Sequence, residues 1–228
     1  MEPRKREILN IIIKEYIKTA EPVGSGTLKN KYKLNISSAT VRNEMAELEA
    51  EGYIIQPHIS AGRVPTEKAY RVYLENLKEK KLDKESLKTI NWALSGKDEA
   101  GFKKTAKIIS ELSGGAIFWA FYKNNSYCTG VSKLLSQPEF FSADLILDIS
   151  LIIDQLDEII SDNFDGFDYG EKIFLGSDNP FSEHCGTVMI KYKLKERTGL
   201  FGILGPVRMD YEKNLGLIRA VEAMVNGK

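Results

Sequence analysis

The chain is short of the residues that staple, metallate or embed a protein. Its two cysteines, Cys128 and Cys185, have no repeated spacing, which excludes a disulfide framework and fits reduced thiols in a cytoplasmic setting. Its two histidines, His58 and His184, have no Cys/Asp cluster nearby at ligand spacing, so a metal centre is a poor reading and no cofactor is expected. The most apolar run, Ala116–Tyr122, falls far short of the ~20 residues that a membrane-crossing helix needs. The opening Met1–Arg6 leads into an amphipathic segment rather than an apolar signal core, so no membrane association is expected. Low-complexity tracts and long charge blocks are also missing. The pair His184-Cys185 suggests a nucleophile, but no third group is in place to orient the histidine, and catalysis is not expected.

Net charge is zero, with 32 basic and 32 acidic side chains, which at first argues against a polyanionic partner. The distribution is uneven: residues 1–104 hold 20 Lys and Arg against 15 Asp and Glu, an excess of +5 that the remainder cancels. Polyanions are bound by local patches that displace counterions, not by whole-chain charge. The excess permits nucleic-acid binding without requiring it.

At 228 residues the chain suits one or two domains. Ile8, Leu9, Ile12, Ile13, Tyr16 and Ile17 recur with helical period through Pro3–Thr19. Glu21-Pro-Val-Gly-Ser25 breaks that helix, and a short one is expected from Ser25 to Tyr32. Ser37 or Ser38 can cap the next helix, which buries Val41, Met45 and Leu48, leaves Thr40, Arg42, Asn43 and Glu47 more exposed, and ends at Gly52. Tyr53–Pro57 reads as a strand and His58–Gly62 as a turn in which Gly62 can take positive φ. Thr66 caps a further helix towards Lys81, with Tyr70, Tyr73, Leu74 and Leu77 inward. Residues 1–77 therefore form one domain and 78–101 a linker or helical arm. In 102–228, helices are expected at Phe102–Leu112, Leu145–Ile160 and Tyr211–Val225. Strands are expected at Ala116–Tyr122, Lys172–Gly176, Thr187–Leu194 and Leu200–Leu204. Together they predict an antiparallel α+β domain.

The stretch from Leu34 to Tyr70, a helix followed by a strand, a glycine turn and a second helix, has the order of a recognition helix and a wing. Such a helix enters the major groove with its N-terminal residues nearest the base edges. Ser37, Ser38 and Thr40 are short donors and acceptors suited to that position, although the serines could equally serve only as caps. Arg42 can grip guanine bidentately or bind phosphate, and Asn43 can pair with adenine; the alternative is a merely solvated face. Arg63, taken as the wing tip, can enter a minor groove or pair with phosphate, with His58 and Ser60 as secondary candidates. Lys29, Lys31 and Arg71 are further phosphate candidates.

Three motifs sharpen this reading: Glu21-Pro-Val-Gly-Ser25, the run Ser37–Glu49, and Pro57-His-Ile-Ser-Ala-Gly-Arg-Val-Pro-Thr66. Together with Gly130–Phe140 and Ile203–Tyr211 they resemble the signature of the HrcA heat-shock repressors. The resemblance implies an α+β chain with an N-terminal winged helix-turn-helix and a GAF-like α/β regulatory and dimerisation domain. It also implies repression of chaperone genes from an inverted-repeat operator in double-stranded DNA, homodimerisation, and modulation by a GroE-type chaperonin. A small-molecule-responsive winged-helix regulator is the alternative. Here Ile117–Tyr122 runs within a few residues into Cys128-Thr-Gly130, which leaves no room for the inserted dimerisation subdomain usual in the family. This chain is accordingly expected to be a compact member with a shortened GAF-like domain. Its dimer contact is expected from the C-terminal helices or Phe102–Leu112.

Overall fold

The helical period at the start of the chain becomes α1, Pro3–Thr19, with proline in the first turn where its missing N–H costs nothing. Ile8, Leu9, Ile12 and Ile13 are buried on one face. α2 covers Ser25–Tyr32, and α3 covers Ser38–Ala50 with Ser37 as its N-cap. Val41, Met45 and Leu48 are the buried face of α3. Its C-terminus closes on Gly52 at φ +76°: the Gly52 N–H donates to Glu49 O and the Tyr53 N–H to Leu48 O, satisfying carbonyls the helix leaves open. This computed structural model describes all residues except 33–35, 97, 123–124, 195–196 and 227–228, so Leu34 lies outside the described residues. The chain divides into two compact units, Met1–Leu77 and Lys78–Lys228.

The strand expected over Tyr53–Pro57 is only β1, Ile54–Ile55, paired antiparallel with β2, Val64–Pro65. Ile54 is buried and Ile55 half exposed, so only one residue has core to reach; Pro57 moreover has no N–H to extend a ladder. α4 is Glu67–Leu74, capped by the Thr66 side chain, and stops well before Lys81. Its last turn tightens, with the Leu77 N–H donating to Leu74 O, and Lys78–Lys81 offers no apolar residue to carry the helix on. Tyr70 and Tyr73 are buried as expected, while Leu74 and Leu77 are half-buried.

In the second unit, α5 (Lys84–Leu94) lies inside the stretch read as a linker or helical arm. Asp83 caps it, and it buries Ile90, Ala93 and Leu94. α6 (Glu99–Ser113), β3 (Ala116–Tyr122), β4 (Asn125–Thr129) and α7 (Val131–Leu135) follow. Then come α8 (Ala143–Asp154), α9 (Leu156–Asn163), β5 (Gly170–Leu175), β6 (Cys185–Leu194), β7 (Arg197–Pro206) and α10 (Tyr211–Asn226). The strands form one antiparallel sheet in the order β4-β3-β7-β6-β5, giving an α+β architecture. The single helix expected over Leu145–Ile160 is two, parted at Gln155, whose φ −94° and ψ 5° leave the helical region. β4 escaped the sequence reading because Asn-Ser-Tyr-Cys-Thr is an edge strand, half-buried throughout, with little apolar signal.

Alternate residues of β3 face opposite sides of the sheet. Phe118 and Ala120 join Leu134, Phe140, Ile149, Leu156 and Ile160 in a core on the side of α7, α8 and α9. Trp119 faces the other way, stacked on Phe102 of α6 at 4.8 Å, with its indole N–H donating to the Tyr192 hydroxyl at 2.6 Å. Burial raises the Tyr192 phenol to about 12.

Candidate nucleic-acid interface

The first unit packs around an apolar core that includes Ile8, Ile12, Leu28, Val41 and Leu48, and ion pairs add ties between its helices. Lys5 on α1 reaches Glu47 at 2.7 Å and Glu51 at 2.6 Å on α3, and those two carboxylates hold its ammonium well above the usual lysine range. Glu15, almost wholly buried on α1, accepts hydrogen bonds from Lys31 and, at 2.6 Å, from the Tyr32 hydroxyl. The Lys31 ammonium, then Tyr32, pull the Glu15 carboxyl below its usual value, while burial, then Glu15, raises the Tyr32 phenol to about 12. Three helices with modest apolar faces are thus fixed at set angles by pairs that sequence periodicity does not reveal.

The turn between β1 and β2 is anchored where it leaves the core. Val23 and Arg63 exchange both backbone hydrogen bonds at 2.9 Å, adding a third short strand contact to the hairpin base. Gly62 sits against this junction. A Cβ there would lie 2.5 Å from the Val23 carbonyl carbon and 2.7 Å from the Pro22 carbonyl oxygen. The need for glycine is therefore close backbone approach, and positive φ in the turn falls instead on Ser60 at +69°.

This arrangement relocates one predicted contact. Arg63 is at the foot of the hairpin rather than at its tip, because pairing with Val23 draws it to the core. Its Nε donates to Glu49 of α3 at 2.9 Å. The tip is His58, Ile59 and Ser60, with the Ala61 N–H closing onto His58 O at 3.0 Å. Ile59 is 93% exposed, an apolar side chain standing alone in a polar turn. The sequence reading passed over it, although an isoleucine between histidine and serine in a turn was a visible signal.

On α3, the Ser37 hydroxyl accepts from the Thr40 N–H at 3.0 Å and lies 2.9 Å from the Thr40 hydroxyl, so both are engaged with one another at the first turn. Ser38 is half-buried. Arg42 and Asn43 point outward, and Ala39, Asn43, Ala46 and Ala50 form an exposed strip at spacings of four, three and four residues. Among the described residues no ion pair engages Arg42. Lys29 is exposed on α2, whereas Lys31 is taken up by Glu15 and Arg71 pairs with Glu67 one turn back on α4. Within Met1–Leu77 there are 12 basic against 10 acidic residues, so the +5 excess of residues 1–104 shrinks to +2 in this unit.

In the second unit, Asp144, Asp148 and Asp154 are exposed on α8. His184 is exposed, but the adjacent Cys185 is buried and its thiol is pushed up to about 12 by burial, the opposite of an activated nucleophile. Among the described residues no group of three His, Cys, Asp or Glu could hold a metal ion, and no helix is long and apolar enough to cross a membrane. The dimer contact was expected from the C-terminal helices or Phe102–Leu112. Phe102, Ala106 and Ile109 of α6, and Leu217, Ile218 and Val221 of α10, are buried within this unit.

The family model described as the HrcA protein C-terminal domain matches residues 37–215. The chain belongs to the HrcA family. Relatives described as heat-inducible transcription repressor HrcA agree along parts of it. The protein of Pelotomaculum thermopropionicum is 46% identical over 117 residues, 50% of this chain and 34% of that protein. That of Acetivibrio thermocellus is 51% identical over 98 residues, 42% of this chain and 28% of that protein. That of Clostridium acetobutylicum is 40% identical over 159 residues, 67% of this chain and 46% of that protein. The match thus spans less than half the length of each of these HrcA relatives. A crystal structure of a hypothetical protein superposes with a TM-score of 0.77 at 17% identity, covering 100% of this chain and 98% of that chain. At that identity the likeness speaks for the fold alone.

Proposed function

We propose that the first unit is a winged helix-turn-helix, with α3 as recognition helix and the β1–β2 hairpin as wing, and that the second is a shortened GAF-like regulatory domain. The protein represses transcription of heat-shock genes by binding an operator in double-stranded DNA. The observation that carries this is the outward strip of α3. Ala39, Ala46 and Ala50 are small enough to let the helix backbone approach a groove floor, and between them stand Asn43 and the unengaged Arg42. A merely solvated face would more ordinarily carry long charged side chains.

In this reading Arg42 grips guanine or phosphate and Asn43 pairs with adenine, while Ser37, Ser38 and Thr40 contact the backbone at the helix start. His58, Ile59 and Ser60 of the wing tip lie against the minor groove, and Lys29 and Arg71 meet phosphate. Arg63 becomes a positioning residue that ties wing to recognition helix through Glu49. An inverted repeat is matched by two recognition helices about 34–36 Å apart, or a multiple of that, and so by a two-fold dimer. Chaperonin modulation follows from family membership and is the second tier of the proposal.

Gel-shift titration with an inverted-repeat duplex and a scrambled one at fixed salt tests the central claim. Preference for the repeat, lost in Arg42→Ala, is expected; equal affinity for both duplexes refutes it. Light scattering with and without operator tests the dimer. A metabolite-responsive regulator is favoured by one observation, a cavity of about 350 Å³ in the second unit walled by Phe102, Phe121, Tyr122 and Tyr192. Thermal-shift screens with metabolites and with chaperonin separate the two.

A further inference from the structure

The second unit keeps one apolar helix face outside its own core. On α8, Ile149 is buried and Leu145, Ile152 and Ile153 pack partly against the core that includes Leu134, Phe140 and Ile160. Leu147 and Leu151, one turn apart on the opposite side, are 60% and 50% exposed. Phe141, just before the helix cap, is 70% exposed and Ile146 is 40% exposed. The face has a charge of one sign. From Leu134 to Gly170 the chain carries nine Asp and Glu and not a single Lys or Arg, in a protein that balances 32 against 32 overall. Some of these carboxylates are engaged, Glu139 by Arg208 and Asp168 by Lys172. Asp144, Asp148 and Asp154 on α8 itself are exposed and carry no ion pair among the described residues.

We propose that this face docks a basic amphipathic helix of a protein partner. The i, i+4 pair Leu147/Leu151 supplies the apolar seat, and Asp144, Asp148 and Asp154 receive flanking lysines or arginines. α8 has 12 residues, ~18 Å of helix, enough for three turns of contact. Charge decides against a second copy of this chain. An antiparallel pair of α8 helices that seats Leu147 on Leu151 would set Asp144 against Asp154 of the other copy at both ends, with no cation from the segment to offset them. The assignment stands apart from DNA binding, since α8 shares no residue with the proposed groove-reading surface.

The test uses the full chain and two fluorescent 18-residue helical peptides with the same leucine stripe, one with lysine and one with glutamate on the polar face. Anisotropy is expected to show binding of the Leu/Lys peptide only. Leu147→Ser combined with Leu151→Ser weakens it by about tenfold or more. Asp144→Asn, Asp148→Asn and Asp154→Asn together weaken it by about fivefold and flatten its salt dependence. Far-UV circular dichroism verifies that both variants stay folded, as substitutions at exposed positions should. The proposal is overturned by Leu/Lys binding that neither variant alters, by equal binding of the Leu/Glu peptide, or by a dimer in light scattering that the two serine substitutions dissolve.

Discussion

The two units differ in how far they rely on charge. In Met1–Leu77, basic side chains are largely consumed as internal fasteners: Lys5 holds α3, Lys31 holds Glu15 and Arg63 holds Glu49. In Lys78–Lys228 the sheet and its helices are held mainly by apolar packing around residues such as Phe118, Trp119 and Phe201, with fewer charges drawn inward: the buried Lys191 ammonium donates to Phe164 O and Phe167 O, and Arg208 pairs with Glu139. The lesson is that a basic excess counted in sequence overstates what a ligand can use. Of the candidates for contact with DNA, Arg42 and Lys29 keep their charge unengaged among the described residues, and geometry rather than charge density carries the functional reading.

That contrast can be broken by experiment, because both tryptophans, Trp92 and Trp119, belong to the second unit. Tryptophan fluorescence reports that unit alone, and far-UV circular dichroism reports both. Gly62→Val should act most strongly, since its side chain would collide with the Pro22–Val23 backbone. A loss of about 3 kcal/mol is expected in a dichroism transition, with the tryptophan transition unmoved. A matching shift in fluorescence would show that the units do not melt separately.

Glu15→Ala should cost the first unit about 2 kcal/mol, by removing the acceptor shared by Lys31 and Tyr32. Its pH dependence has a definite sign. The folded Glu15 carboxyl titrates below its ordinary 4.5, so its contribution is complete above that value and disappears as pH falls through the lowered one. Acid titration of wild type and variant should therefore converge, and parallel curves would remove Glu15 from the account.

Arg42→Ala and Arg63→Ala sharpen the comparison within the first unit. Arg42→Ala should lower discrimination between operator and scrambled DNA by about 1–3 kcal/mol if it reads a base, and leave stability unchanged. Arg63→Ala should do the reverse, costing about 1 kcal/mol of stability through the lost Glu49 contact, with a smaller effect on discrimination. Urea denaturation and gel shift on the same two proteins decide it.

The smallest effect is expected at the cysteines. Burial pushes Cys128 to about 11 and Cys185 to about 12, so a thiol reagent at pH 8 should label the half-buried Cys128 slowly and the buried Cys185 only once the second unit unfolds. Because the folded values are raised, any contribution is complete below the unfolded thiol value and fades as pH rises through 11 and 12. Rapid labelling of Cys185 in the native protein would contradict its buried placement.

Much of the fold was legible because its signals are local. The spans of α1 and α2, the Ser37 and Thr66 caps, the Gly52 stop and the full length of β3 follow from periodicity, capping chemistry and glycine's freedom, which act within a turn or two. Where local signals were weak, at the edge strand β4 or the two-residue hairpin strands, the sequence reading missed or overextended them. The candidate site was legible in the same proportion: the exposure of Arg42 and Asn43 follows from helix period, but the setting of Arg63 does not.

The sequence by itself determined the two-part organisation of motifs, the buried faces of α1 and α3 and the family. Only the tertiary structure decided which charges are available, why position 62 is glycine, and that α8 rather than α6 or α10 keeps an apolar face outward. The reason is range. Lys5 and Glu51 meet across 46 residues, and Gly62 is constrained by Pro22 and Val23 some forty positions earlier, so neither neighbour can be found by reading along the chain.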